Sequence, residues 1–238
     1  MRVLTSCLFV LSFLWWAAPA ACAKSPNYLR ACWRQQVQHV RANHLQLRYR
    51  ETVNELEHNA TPWQTTAYAG RGTVWVAPDA FLKQDTLTAV AKARTYFSTT
   101  QRSATGLLYR DYGDKDLFAA TQGMQRDYVF RSARYCPLSL LAYFYQQHVA
   151  ADATAPAGLV GYHATLNQTV VHLFIRTQDA LLVRVSLLGH DDLLGDVTTT
   201  FRYPEYAHIG RLAYPTRVQV EKVNAQVLEE VHVLTATV

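Results

Sequence analysis

From Gly161 to Val238 the chain repeats one pattern: short runs in which apolar and polar side chains alternate, several of them joined by connections of only a few residues. Val160 to Leu166, Val170 to Arg176, Leu181 to Leu188, Val197 to Tyr203, Tyr214 to Lys222 and Gln226 to Val238 each read as a strand. A parallel pair needs a crossover of a dozen or more residues. The connections at Leu166 to Thr169, Thr177 to Ala180 and Val223 to Ala225 are too short for one, so the strands they join must run antiparallel. This third of the chain is therefore an antiparallel meander, a surface suited to holding something.

Upstream, the periods mix. Leu29, Cys32, Trp33, Val37 and Val40 recur at helical spacing within Tyr28 to Asn43, predicting an N-terminal helix. Leu45, Leu47 and Tyr49 then alternate with Gln46, Arg48 and Arg50, as in a half-buried strand. A further strand runs from Gly70 to Pro78, where the missing amide hydrogen interrupts a ladder. Shorter strands are expected at Thr95 to Thr99, Gly106 to Tyr112 and Lys115 to Ala119, with a hairpin turn at Tyr112 to Lys115. Leu138, Leu140, Leu141, Phe144 and Tyr145 predict a helix starting near Pro137, and Ala150 to Gly158 reads as a surface loop. Pro204, flanked by Tyr203 and Tyr206, predicts an edge or kinked strand, and Gly195 a bend.

The first residues stand apart from this pattern. Met1-Arg2 followed by the apolar run Leu4 to Trp16 and the small residues Ala21-Cys22-Ala23 reads as an export signal cleaved after Ala23. The apolar run is shorter than the roughly 20 residues of a spanning helix, which argues against a membrane anchor. Lipid attachment at Cys22 is a further alternative, although Pro19-Ala20-Ala21 suits a lipoprotein signal poorly. Removal of residues 1–23 takes away Arg2 and no acid, leaving 22 basic and 18 acidic side chains. The basic residues are scattered, which speaks against nucleic acid and is compatible with peripheral contact at an anionic membrane. Residues 24–238 carry no Gly/Ser/Pro linker and are read as a single domain. Cys32 and Cys136 remain in it, and export permits either a disulfide between them or two free buried thiols.

No catalytic constellation accompanies the sheet. The nine histidines form neither His-x-His-x-Asp-His nor His-Glu-x-x-His, and Gly-x-Ser-x-Gly, a phosphate-cradling glycine loop and a dinucleotide fingerprint are missing too. His190-Asp191-Asp192, the densest polar trio, reads as a solvated turn between strands, and Cys136 beside Pro137 as a buried thiol. The expectation is a non-enzymatic protein with no cofactor and no metal site from local spacing.

The order Gly70-x-Gly72, Val74-Trp-Val76, Pro78-Asp79, Phe81, a helix, Gly161-Tyr162, Leu181 to Val185, Leu194-Gly-Asp196, Tyr203-x-x-Tyr206 and Tyr214-Pro-x-Arg217 resembles the LolA/LolB-type half-barrel of bacterial envelope proteins. It looks most like the variant that precedes a metallo-β-lactamase-fold hydrolase domain, and the likeness covers roughly residues 45–238. The resemblance implies an α+β fold: a strongly curved antiparallel sheet with an N-terminal helix and one or more helices over its concave face. It further implies a periplasmic or envelope location and a groove for an acyl chain, another lipid-like ligand, or a segment of an envelope partner. Alternatively the chain is the non-catalytic module of a hydrolase whose metal domain lies elsewhere. Trp75, Phe81, Tyr96, Leu108, Phe174 and Leu182 are the candidates for the concave lining, with ordinary core packing as the plain alternative.

Overall fold

A computed structural model describes residues 44–56, 65–77, 80–91, 94–110, 114–191, 195–222 and 226–237, together with Asn27, Ala31, Arg34 and Gln38. Those four isolated residues are helical and exposed, at the spacing of the polar side of the expected N-terminal helix. Its apolar stripe lies outside the described residues, as do Cys32, the signal segment, and Tyr112 and Gly113 of the expected hairpin turn.

Thirteen strands form one antiparallel sheet. They are β1 (Leu45–Leu56), β2 (Thr65–Ala77), β3 (Ala80–Ala89), β4 (Thr95–Ser103), β5 (Gly106–Arg110), β6 (Phe118–Ala119), β7 (Ala150–Asp152), β8 (Leu159–Leu166), β9 (Thr169–Arg176), β10 (Leu182–Asp191), β11 (Gly195–Ile209), β12 (Leu212–Lys222) and β13 (Gln226–Thr237). Two helices, α1 (Gln122–Tyr135) and α2 (Pro137–Gln146), separate β6 from β7. The spatial order is β6-β5-β4-β3-β2-β1-β13-β12-β11-β10-β9-β8-β7. The six-strand meander expected from the sequence is present as β8 to β13, and β13 joins β1 to make the two halves one sheet.

This order explains why helices cover the concave face. The chain leaves the sheet at one edge, β6, and re-enters at the other, β7, so α1 and α2 must bridge the two edges. Twelve spacings of about 4.8 Å would make a flat ribbon roughly 58 Å wide. Helices of 14 and 10 residues reach only about 36 Å end to end at about 1.5 Å per residue. The edges therefore curl toward each other into an open half-barrel with both helices across its mouth. Register shifts at Arg48/Tyr49, Leu182/Arg184, Arg202/Glu205 and Val220/Glu221 add local twist to that curl.

Strand alternation separates the two faces. In β1, Leu45, Leu47, Tyr49 and Glu51 are buried while Gln46, Arg48, Arg50 and Thr52 are exposed. The concave face joins Val74, Val76, Phe81, Leu173, Ile175, Val185, Phe201 and Val218 with Tyr128, Val129, Leu140 and Phe144 of the helices in one core. α1 is N-capped by Thr121, whose hydroxyl accepts from the Met124 amide, and Pro137 opens α2, where a missing donor costs nothing.

Several sequence expectations need correction. No element was expected between Phe81 and Thr95, where the structure has most of β3, whose inward positions include Lys83 and Asp85 and so break apolar alternation. α1 precedes the helix expected at Pro137 and was hidden by its Gln, Arg and Asp residues. Ala150–Asp152 is an edge strand at the start of the supposed loop, and the strand expected at Lys115 to Ala119 shrinks to Phe118–Ala119. Pro204 sits in the interior strand β11, not at an edge, and the register of that strand to β12 shifts at the proline. His190 and Asp191 end β10, paired with Asp196 and Gly195, instead of forming a turn.

Candidate ligand-binding face

Direct cross-strand partners share a face, which sorts the six residues expected to line a groove. Phe81 and Leu182 belong to the concave core, and Tyr96, across from Leu87, lies on the same face. Trp75 pairs with Gln46 and Leu82, Leu108 with Gln101 and Ala119, and Phe174 with Gly161 and Arg184. These three stand on the convex face: each is one residue from the inward Val74 and Val76, Tyr109, or Leu173 and Ile175. The three concave residues are not gathered either. Phe81 meets the Tyr128 ring of α1 at 5.7 Å, Tyr96 lies 6.3 Å from the Tyr68 ring, and Leu182 is six strands from β3 in sheet order.

The concave face has two unlike halves. Beneath α1, on β13 and β1 to β4, lies a buried polar cluster that sequence reading missed. Lys83, 1% exposed, pairs with Asp85, which also accepts from the Ser98 hydroxyl. The Lys83 ammonium sits 4.4 Å from the centre of the Tyr135 ring, and the Tyr135 hydroxyl donates to Glu51. Arg134 contacts the Glu229 carboxylate at 2.6 Å and lies 4.0 Å over the Phe130 ring. Glu51 Oε1, the Tyr49 hydroxyl and the Thr100 hydroxyl are buried without a partner. Burial, followed by the Arg131 charge, lowers the Lys83 pKa despite the nearby carboxylates. Burial likewise raises the Tyr49 and Tyr135 hydroxyls far above the usual tyrosine range and raises the Glu229 carboxyl.

Gly70 and Gly72 make room for this cluster. They face inward on β2, and a Cβ at Gly72 would stand 2.4 Å from the Tyr49 hydroxyl and 2.6 Å from the Gln84 carbonyl oxygen. At Gly70 it would stand 2.7 Å from Glu51 Cγ. A Gly-x-Gly pair in a strand followed by charges at alternate positions of the next strand is the sequence signal that could have revealed the site.

Beneath α2, on β10 to β12, the face is apolar. Pro137, Leu138, Leu141, Leu182, Tyr206 and Pro215 border a crevice with about 10 Å³ of room, the space of about one water molecule. Tyrosines fasten the helices above it. Tyr203 donates to the Ala133 carbonyl at 2.6 Å and Tyr214 to the Tyr135 carbonyl at 2.8 Å. Both acceptors lie in the last turn of α1, where helix geometry leaves carbonyls unpaired. Tyr206 donates to the Leu182 carbonyl. The three tyrosines thus bond backbone groups in this form.

Cys136, between the helices, is a free buried thiol whose pKa burial raises. Among the described residues no helix is long and apolar enough to cross a membrane.

No protein-family model and no curated protein matches the chain. Among solved structures it is similar to a crystal structure described as an outer membrane lipoprotein-sorting protein domain from Vibrio parahaemolyticus, with 8% identity and a TM-score of 0.56 over 86% of this chain and 89% of that one. It is also similar to a DUF1329 family protein from Desulfovibrio piger, with 11% identity and a TM-score of 0.45 over 92% of each chain. The Vibrio likeness supports a LolA/LolB-like half-barrel fold, and at that identity it speaks of fold alone.

Proposed function

We propose that this is an exported cell-envelope protein, cleaved after Ala23, whose concave face receives an apolar, lipid-like ligand between the sheet and its helical cover. The observation that carries the reading is a half-barrel mouth bridged by a helix pair seated partly on hydroxyl and ionic contacts. Such contacts release a cover more readily than continuous apolar packing, because water can replace each bond when the seat opens. The fold likeness to a domain described as lipoprotein-sorting supports the same reading.

A crevice of about 10 Å³ holds no acyl chain, so binding requires α2 to lift together with the last turn of α1 that leads into it. Exposing Leu138, Leu140, Leu141 and Phe144, all buried, costs about 1.5–3 kcal/mol for each side chain, roughly 6–12 in total. An acyl chain that buries about fourteen methylenes recovers roughly 11 kcal/mol at about 0.8 each. The exchange is near balance, which suits reversible carriage. Leu182 and Leu138 would line the opened groove, with Phe81 and Tyr96 farther along the floor.

Native mass spectrometry of protein purified from the envelope, with extraction of any co-purified lipid, tests the proposal. Bound acyl species, and displacement of a fluorescent fatty acid by lipid, are expected. A protein that carries no lipid and leaves the probe unbound across a range of acyl lengths would overturn it.

A further inference from the structure

The convex face carries a cluster with no part in the proposed groove. Asp152 of β7, His163 of β8 and His172 of β9 come from three strands, and each offers a ligand atom within 4.8 Å of the other two. Strand pairing produces the group. His163 is directly opposite His172, Asp152 is opposite Gly161, and the side chains at Gly161 and His163 positions share the outer face. The imidazole rings lie 5.7 Å apart, and His172 Nδ1 is 2.7 Å from Asp152 Oδ2.

Two details show that the carboxylate is held in place. The Asp152 side chain is only 5% exposed, and its other oxygen accepts from both the amide and the hydroxyl of Thr154, at 2.9 and 2.6 Å. Gly161 allows the edge strand to come this close: a Cβ there would stand 2.9 Å from Asp152 Cβ and 3.0 Å from Ala155 Cβ. The histidines are part-exposed, so the site is reachable. A cation on the same face, Arg184, is stacked on the Phe174 ring at 3.8 Å.

We propose that Asp152, His163 and His172 form a solvent-open, three-ligand site for a divalent transition-metal ion of the zinc, nickel and copper class. Two imidazoles and one carboxylate suit that class, and Thr154 fixes the carboxylate as an outer-shell partner does. Tetrahedral zinc with bonds of about 2.0–2.1 Å sets neighbouring ligand atoms roughly 3.3 Å apart. The present spacings need only small side-chain adjustments to meet that, with the His172–Asp152 hydrogen bond opening as the ion enters. No local motif announces the site, because its ligands come from different strands.

The test uses the untagged exported protein, stripped with chelator, titrated with zinc chloride by calorimetry and with cobalt chloride by visible absorption. One zinc per chain at micromolar or tighter affinity, a cobalt spectrum of low-coordinate type, and a melting temperature that rises with zinc are expected. His163→Gln, which leaves the Asp152–His172 contact intact, should weaken zinc binding at least tenfold to a hundredfold, as should His172→Gln, and Thr154→Ala about tenfold. Absence of zinc binding in the wild type, or affinity unchanged in a folded His163→Gln, overturns the proposal. So does a protein destabilised by His172→Gln to the same degree with and without zinc, since Asp152–His172 would then be a structural clasp only.

Discussion

The Tyr135 hydroxyl of α1 donates to the Glu51 carboxylate of β1, and with it the helix is bonded to a buried charge on the sheet floor. The other Glu51 oxygen is buried without a partner, so Tyr135 is an important source of its solvation. Tyr135→Phe removes that donor while keeping the ring packed 4.8 Å from Tyr49. It should lower unfolding free energy by about 1–3 kcal/mol, the cost of a buried acceptor left bare. Urea denaturation followed by circular dichroism measures it, and an unchanged midpoint would show that Glu51 is solvated some other way.

Lys83 and Asp85 form a buried pair in which each charge depends on the other. Lys83→Met strands the Asp85 carboxylate and should cost about 3–5 kcal/mol, whereas Lys83→Met with Asp85→Leu should cost less than the single change. The pH dependence follows from the lowered Lys83 pKa. Between its value in the fold and the ordinary 10.5, the unfolded chain binds the extra proton, so Lys83 makes stability rise with pH across that window. Comparing unfolding across alkaline pH, Lys83→Met should remove this component of the slope.

Much of the architecture is legible in the sequence because one face is apolar and the other polar. β8 to β13 announce themselves by period, and three of their five connections are too short for anything but hairpins. β3 does not, since Lys83 and Asp85 occupy inward positions that an alternation rule assigns to apolar residues. α1 escapes for a similar reason: Arg134 reaches the buried Glu229 and Arg131 packs over the Tyr109 ring, so its apolar stripe is thin. The groove residues show a different limit. Trp75, Leu108 and Phe174 are large and apolar, but pleat parity decides the face, and a shift of one residue reverses it. Contacts between elements far apart in the chain, such as Lys83 with Tyr135 or Arg134 with Glu229, leave no local trace at all.

The two inward glycines of β2 should respond unequally to alanine. At Gly72 the new Cβ meets the Gln84 carbonyl of the neighbouring strand at 2.6 Å, and backbone cannot step aside. At Gly70 the obstacles are side-chain atoms of Leu87 and Glu51, which can rotate. Gly72→Ala should cost roughly 1–3 kcal/mol or more and exceed Gly70→Ala. Gly189, whose Cβ would meet nothing within 4 Å, is the control and should tolerate alanine. Thermal melts of the three variants give the order, and a Gly72→Ala as stable as Gly189→Ala would contradict the packing seen here.

If the helices are a cover that opens, the tyrosines that hold the end of α1 set how readily it does so. Tyr203→Phe and Tyr214→Phe each delete one hydroxyl while leaving the buried ring in the core. Each should cost about 1 kcal/mol of stability, and in the closed state alone if the bond breaks on opening. The closed form then loses that advantage, and the open form gains about fivefold in population, since 1.4 kcal/mol is a factor of ten. Association of a fluorescent fatty acid should accelerate by a similar factor in stopped flow, while Thr88→Ala, whose exposed hydroxyl pairs with Thr95 within the sheet away from the crevice, should leave the rate nearly unchanged. Equal rates in all three variants would mean that ligand enters without displacing α1.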